Sequence, residues 1–139
     1  MIAQGQTTIF KKNAYSGLEN FAVGTPYVYM MALYTANADL NAATLVYTTS
    51  NEVVGAGYTA GGNVLIIIPP DTSGTTAYIS FDNSTWLASS FVTRGALIYN
   101  ATTLAAVAVL DFGSDKTASG TFPVTFPPST ATTAVIRIS

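Results

Sequence analysis

The ionic chemistry of this chain rests on seven carboxylates and five cationic side chains, with no histidine and no cysteine beside them. Without histidine the commonest general base and transition-metal ligand is missing, so Ser-His-Asp and Cys-His nucleophiles cannot be assembled within the chain. Without cysteine there is no disulfide, thiolate nucleophile or zinc–thiolate site. Carboxylate chemistry is what remains. Glycoside hydrolysis would need two carboxylates facing each other across a cleft. The seven are Glu19, Asp39, Glu52, Asp71, Asp82, Asp111 and Asp115. Several sit in turn settings: Asp39 near Asn41, Asp71 before Gly74, Asp82 before Asn83-Ser84. There a short acidic side chain bonds its own backbone. None has the alternating Asp/Asn spacing of a calcium loop, and Gly113-Ser114-Asp115-Lys116 reads as a solvent loop. No catalytic residue, metal ligand or cofactor site is expected.

Arg94 is the most informative single charge. Side chains alternate along a strand, so Val92, Arg94, Ala96 and Ile98 would share a face of Phe91–Tyr99. An arginine among aliphatics either pairs with a carboxylate or points into a contact with another subunit, and Asp111 in the next strand supplies the partner for a structural ion pair. The glycine-rich stretch from Gly55 to Gly62 lacks both phosphate-cradle signatures, and a strand follows it instead of a helix. It reads as a loop at the sandwich edge that needs unusual backbone angles or close approach. Gly57, Tyr58 and Gly61 in the tip loop Val53–Gly62, with Asp115 and Lys116 in the tip loop Gly113–Gly120, are the candidate interface residues.

These side chains would be positioned by short strands. Thr8–Phe21 carries apolar residues at helical spacing, with Thr7 or Thr8 as cap, and Gly24-Thr25-Pro26 ends it. Tyr27–Thr35 is apolar almost throughout, as in a strand covered on both faces. Leu45–Thr49 fits a short strand or one helical turn. Val64–Ile68 is stopped by Pro69-Pro70, and Asp71–Gly74 is a turn. Thr75–Phe81, Phe91–Tyr99, Ala105–Phe112, Thr121–Phe126 and Ala134–Ile138 complete the set. Short strands with Gly/Pro/Asx punctuation and no helical crossovers predict an all-β single-domain β-sandwich, jelly-roll or Ig-like, with a short N-terminal helix. Residues 1–8 are polar and are expected to form a flexible arm that orders on assembly.

Charged residues make up 9% of the chain, against about a quarter in an ordinary soluble domain. The net charge is −2, and no Lys/Arg stripe is present to neutralise a phosphate backbone, so nucleic acid is not an expected partner. The longest apolar runs, Val64–Ile68 and Leu104–Leu110, are far short of a membrane span. Lys11-Lys12 is followed by polar residues, not by the apolar core of a cleaved signal peptide. A surface so poor in charge is either neutral-polar or covered by neighbouring protein.

Four linked stretches carry a resemblance: Glu52–Asn63 (EVVGAGYTAGGN), Phe81–Trp86 (FDNSTW), Phe91–Tyr99 (FVTRGALIY) and Val109–Phe122 (VLDFGSDKTASGTF). In order and spacing they resemble a family of small virion structural proteins of tailed bacteriophages. The resemblance runs from about Glu52 to Phe126. Tyr27–Thr35 departs from it, lacking the charges usual in that family's first core strand. The resemblance implies a non-enzymatic building block of the virion, assembled in the host cytoplasm. A decoration or cement subunit on the capsid, in many copies or as a homo-oligomer against the major capsid protein, is the leading form. A neck or tail component is the alternative. From another class, a carbohydrate-binding adhesion module would require exposed aromatics in a row.

Overall fold

The computed structural model describes residues 1–138 of the chain. In chain order the elements are β1 (Gly5–Gln6), α1 (Thr8–Tyr15), β2 (Tyr29–Tyr34), β3 (Asn63–Val64), β4 (Ile67–Ser73), β5 (Thr76–Phe81), β6 (Ser84–Asn100), β7 (Ala106–Val124) and β8 (Ile136–Ile138). They form two antiparallel sheets, one ordered β1-β7-β6-β2-β3 and the other β4-β5-β8. The protein is an all-β single-domain sandwich with one short helix.

β2 sits inside the larger sheet and is covered on both faces, as its unbroken apolar sequence requires. Tyr29, Met31 and Leu33 enter the core between the sheets, with Phe81, Trp86, Phe91, Phe126 and Ile136. Ala32 and Tyr34 enter a second core on the other face, with Leu40, Leu97, Tyr99 and Val109. That second face is closed by the N-terminus and by the segment between β2 and β3. The period-two alternation of β2 and β6 therefore feeds two apolar layers, and neither face needs charge.

Helix α1 is shorter than the apolar spacing predicts. The Thr7 hydroxyl caps it by accepting the Phe10 N–H at 3.2 Å. After Ser16, Gly17 takes φ +71°, and its N–H donates to Ala14 O while the Leu18 N–H reaches back to Asn13 O. This is a Schellman close, which stops the helix well before Phe21.

Three further expectations are corrected. Residues 1–8 are not a free arm: Ile2 is 7% exposed, β1 pairs with β7, and Thr7 is fully buried, donating to Ala106 O. The Ile2 side chain is what fixes this segment, because its burial removes an aliphatic group from water. Gly113–Gly120 is not a loop but part of β7, with Thr117, Ala118, Ser119 and Gly120 paired to Val92, Phe91, Ser90 and Ser89. Polar small residues there form a ribbon with β6, irregular at Asp111–Lys116. Pro69-Pro70 does not stop the strand but lies in β4 at a register shift between Ile68 and Asp71. β4 is an edge strand, where missing N–H groups are tolerated. The turn after it tightens to Gly74-Thr75, joining Ser73 and Thr76.

Candidate functional site

The densest polar cluster of the protein is built around Glu52. Backbone contacts fix it first: Thr35 N–H donates to Asn51 O, and Val53 N–H to Leu33 O, both at 3.0 Å. This places Glu52 opposite Tyr34 in an isolated antiparallel bridge. Its carboxylate is then carried inward, and the residue is only 7% exposed. No cation meets it. Oε1 accepts the Tyr47 hydroxyl at 2.6 Å, and Oε2 accepts the Tyr58 hydroxyl at 2.5 Å and the Gly61 N–H at 2.8 Å. A buried carboxylate that is not paired with a cation must be hydrogen-bonded, and here three donors surround it.

A second tier of tyrosines holds the first. Tyr58 Oη also accepts the Leu33 N–H at 2.9 Å, tying the loop to β2. Tyr99 donates to Gly61 O at 2.7 Å, and its ring stacks on Tyr47 at 4.6 Å. Tyr34 donates to Thr48 O. Tyr58 lies against Trp86 and edge-on to Phe91. Burial first, and the Glu52 carboxylate second, push the Tyr34, Tyr47 and Tyr58 phenols far above the usual tyrosine range, and Tyr99 up to about 12. All four stay protonated donors at neutral pH. With every partner taken internally, the cluster presents no free base or nucleophile. It works as a clamp.

What it clamps is the tip loop Val53–Gly62. Gly57 has φ +78° and lies so close to the Leu87–Ser89 backbone that a Cβ there would fall 2.7 Å from Leu87 O. Gly62 has φ +81°, and a Cβ would collide with the Met31 carbonyl. Ser90 N–H donates to Ala56 O at 2.9 Å, fastening the loop to β6. Outside this bracing the surface is apolar, with Val54 94% and Leu87 69% exposed.

A smaller cluster repeats the theme. Glu19 Oε2 accepts the Tyr29 hydroxyl at 2.7 Å and Asn100 Nδ2 at 3.4 Å, while Oε1 is buried without a partner. Burial raises the Glu19 pKa, and those two hydrogen bonds only partly offset it.

Of the residues singled out from the sequence, Gly57, Tyr58 and Gly61 come together in the clamped loop. Arg94 Nε lies 3.3 Å from Asp111 Oδ1 on the half-exposed side of the β6–β7 ribbon. Asp111 is held below the usual carboxylate range, chiefly by the Gly113 N–H and also by Arg94. Asp115 and Lys116 are solvent-exposed on the irregular part of β7. Among the described residues, no three carboxylates gather as a metal site would require. Nor is any helix long and apolar enough to cross a membrane. Of the aromatics, only Tyr15 is exposed, so no row of stacking rings is displayed.

Glu52, Tyr47 and Tyr99 were not singled out from the sequence. The available signal was an acid between Asn51 and Val53-Val54 with tyrosines five residues before and six after. No family model, no curated protein and no solved structure matches the chain.

Proposed function

We propose that this protein is a structural subunit of a tailed-bacteriophage virion, in its leading form a decoration or cement protein seated across the joints of the head lattice. The observation that carries this reading is the clamp. The most concentrated polar chemistry in the chain faces inward, where it stiffens an apolar loop instead of meeting a substrate. A pre-stiffened loop loses little conformational freedom on docking, which favours binding without ionic anchors. Weak neutral contacts of this kind gain strength when repeated over a symmetric shell. The linked motifs from Glu52 to Phe126 support the same reading, since the first contains the clamped loop.

The test is to locate and count the chain in purified particles by mass spectrometry and electron microscopy. Copies spread over the shell are the expected result. Copies confined to a single ring would move the protein to the neck or tail. Absence from the particle overturns the proposal.

A further inference from the structure

We propose that the outer face of the β4-β5-β8 sheet is a two-fold contact that pairs this chain with a second copy of itself, through a row formed by Asp71, Tyr78 and Arg137. The row follows from register. Asp71 pairs with Tyr78 across β4 and β5, and Tyr78 pairs with Arg137 across β5 and β8. Residues directly opposite on neighbouring strands project to the same face. Ile79, beside Tyr78, and Ile136, beside Arg137, both enter the core between the sheets. Alternation therefore turns the whole row outward. Asp71 and Arg137 are exposed, and Tyr78 is half-buried.

Both charges in the row are left without an ionic partner. Each stands one strand spacing, ~4.8 Å, to either side of Tyr78, which sets their strands about 10 Å apart. Among the described residues the ion pairs are Met1–Asp39 and Arg94–Asp111, and neither involves this row. Asp71 Oδ1 accepts only its neighbour's N–H, from Thr72 at 2.7 Å, and Arg137 Nη1 donates to Thr132 O. A backbone carbonyl does not neutralise a guanidinium. Asp71 Oδ2 and the second Nη of Arg137 are free to meet a charge from outside. No other acid or base lies within the three strands. The next one, Asp82, is four residues beyond Tyr78, or about 13 Å, which is more than a Debye length at physiological salt.

Opposite charges at equal distances from a central ring are self-complementary. A two-fold axis parallel to β5 and above Tyr78 lays a second sheet face-down on the first and exchanges left for right. Asp71 of each copy then meets Arg137 of the other, and the two Tyr78 rings meet at the axis. An axis running across the strands would set acid on acid and base on base, so the charges select the first arrangement. The symmetry is what commits the occupant: the matching reversed row exists on every copy of this chain. A face of three strands by about six residues covers roughly 300 Å², well below the ~800 Å² per partner of a standard interface. The contact is therefore weak between free copies and gains strength where copies are already held side by side.

The inference does not rest on the virion reading, and its test needs only the purified chain. Sedimentation equilibrium at low salt is expected to show a monomer–dimer equilibrium with a dissociation constant of roughly 0.1–1 mM. Added salt is expected to weaken it, because exposed ion pairs are screened. Asp71→Arg and Arg137→Asp each set like charges face to face, and each alone is expected to weaken dimerisation roughly tenfold or more. An equimolar mixture of these two variants is expected to recover association as a heterodimer, since one row is then doubly basic and the other doubly acidic. The chain carrying both changes is expected to dimerise like the parent. A parent that stays monomeric at ~1 mM, or dimerises without regard to salt, overturns the proposal. So do single variants that associate as well as the parent, or a mixture no stronger than its parts.

Discussion

Tyr58 Oη sits 2.5 Å from Glu52 Oε2 and at the same time accepts the Leu33 N–H at 2.9 Å, so one hydroxyl joins the tip loop, the buried acid and the central strand β2. Removing it leaves a carboxylate oxygen short of a donor and a backbone N–H short of an acceptor. Tyr58→Phe is expected to cost about 2–3 kcal/mol by urea denaturation. Glu52→Gln turns an amide toward donors and should cost a comparable amount. The double variant is expected to lose clearly less than the sum, because both changes break one network. Strict additivity would show that the two groups do not act together.

Gly62 and Gly74 separate close packing from backbone angle. Both have positive φ, +81° and +58°, but a Cβ at Gly74 meets open space while one at Gly62 meets the Met31 carbonyl. Gly74→Ala should cost about 1 kcal/mol, the penalty for a left-handed non-glycine residue. Gly62→Ala must also push β2 and the tip loop apart, and is expected to exceed about 4 kcal/mol or prevent folding. Equal thermal shifts in the two variants would contradict the close approach.

The layered core was legible because its signal is local. An apolar run such as Tyr29–Tyr34 can lie only where both faces are dry, and the β-branched and aromatic clusters of β5 and β6 carry period two. The Arg94–Asp111 contact does not come from that alternation: β6 and β7 slip register between Thr93 and Gly95, so Arg94 lies outside the pairing while Asp111 pairs with Gly95. The length of β7 was not legible. Thr117–Gly120 has the composition of a loop, and only pairing with Phe91 and its neighbours makes it a strand. Glu52 was hidden for a related reason. Tyr47 and Tyr58 lie near it in sequence, but their convergence depends on the loop folding back on β2 and β6, which composition does not report.

The N-terminal segment belongs to the folded domain, which reverses the expectation of a dispensable arm. Ile2 packs beside Leu40, Leu97 and Val109, and the segment contributes β1 and the Thr7 cap. Ile2→Ala is expected to cost about 2–4 kcal/mol as a buried large-to-small change. Deleting residues 1–7 should lower the melting temperature far more than a surface change would, measured by calorimetry on the purified protein. A truncated domain as stable as the full chain would restore the free arm.

Glu19 makes stability depend on pH in the direction opposite to a salt-bridged acid. Its folded pKa lies above the ordinary value of 4.5 because burial disfavours the charged form. The native state therefore binds its proton more tightly than the unfolded chain does. The resulting stabilisation is full below the unfolded pKa and is lost as pH rises through the folded one. Glu19→Gln keeps an acceptor for Tyr29 without burying a charge. It should stabilise the protein at pH 7, lose that advantage near pH 4, and flatten the profile between. A variant less stable than the parent at pH 7 would mean that the ionised carboxylate is favoured where it lies.

The tyrosine clamp sets an alkaline limit. Burial is the leading cause of the raised phenol pKa values at Tyr29, Tyr34, Tyr47, Tyr58 and Tyr99, with Tyr99 at about 12 and the other four higher still. In the unfolded chain these phenols ionise near 10. Their contribution to stability is therefore intact below pH 10 and lost as pH climbs through the folded values, because only the unfolded chain releases protons in that window. Tyrosinate absorbance from these five rings is expected to develop together with the loss of the β circular-dichroism signal, as one cooperative transition beginning above pH 10. Ionisation of all five near pH 10 with the sheet signal unchanged would mean that water reaches the hydroxyls, and that the Glu52 cluster is too open to stiffen the loop it carries.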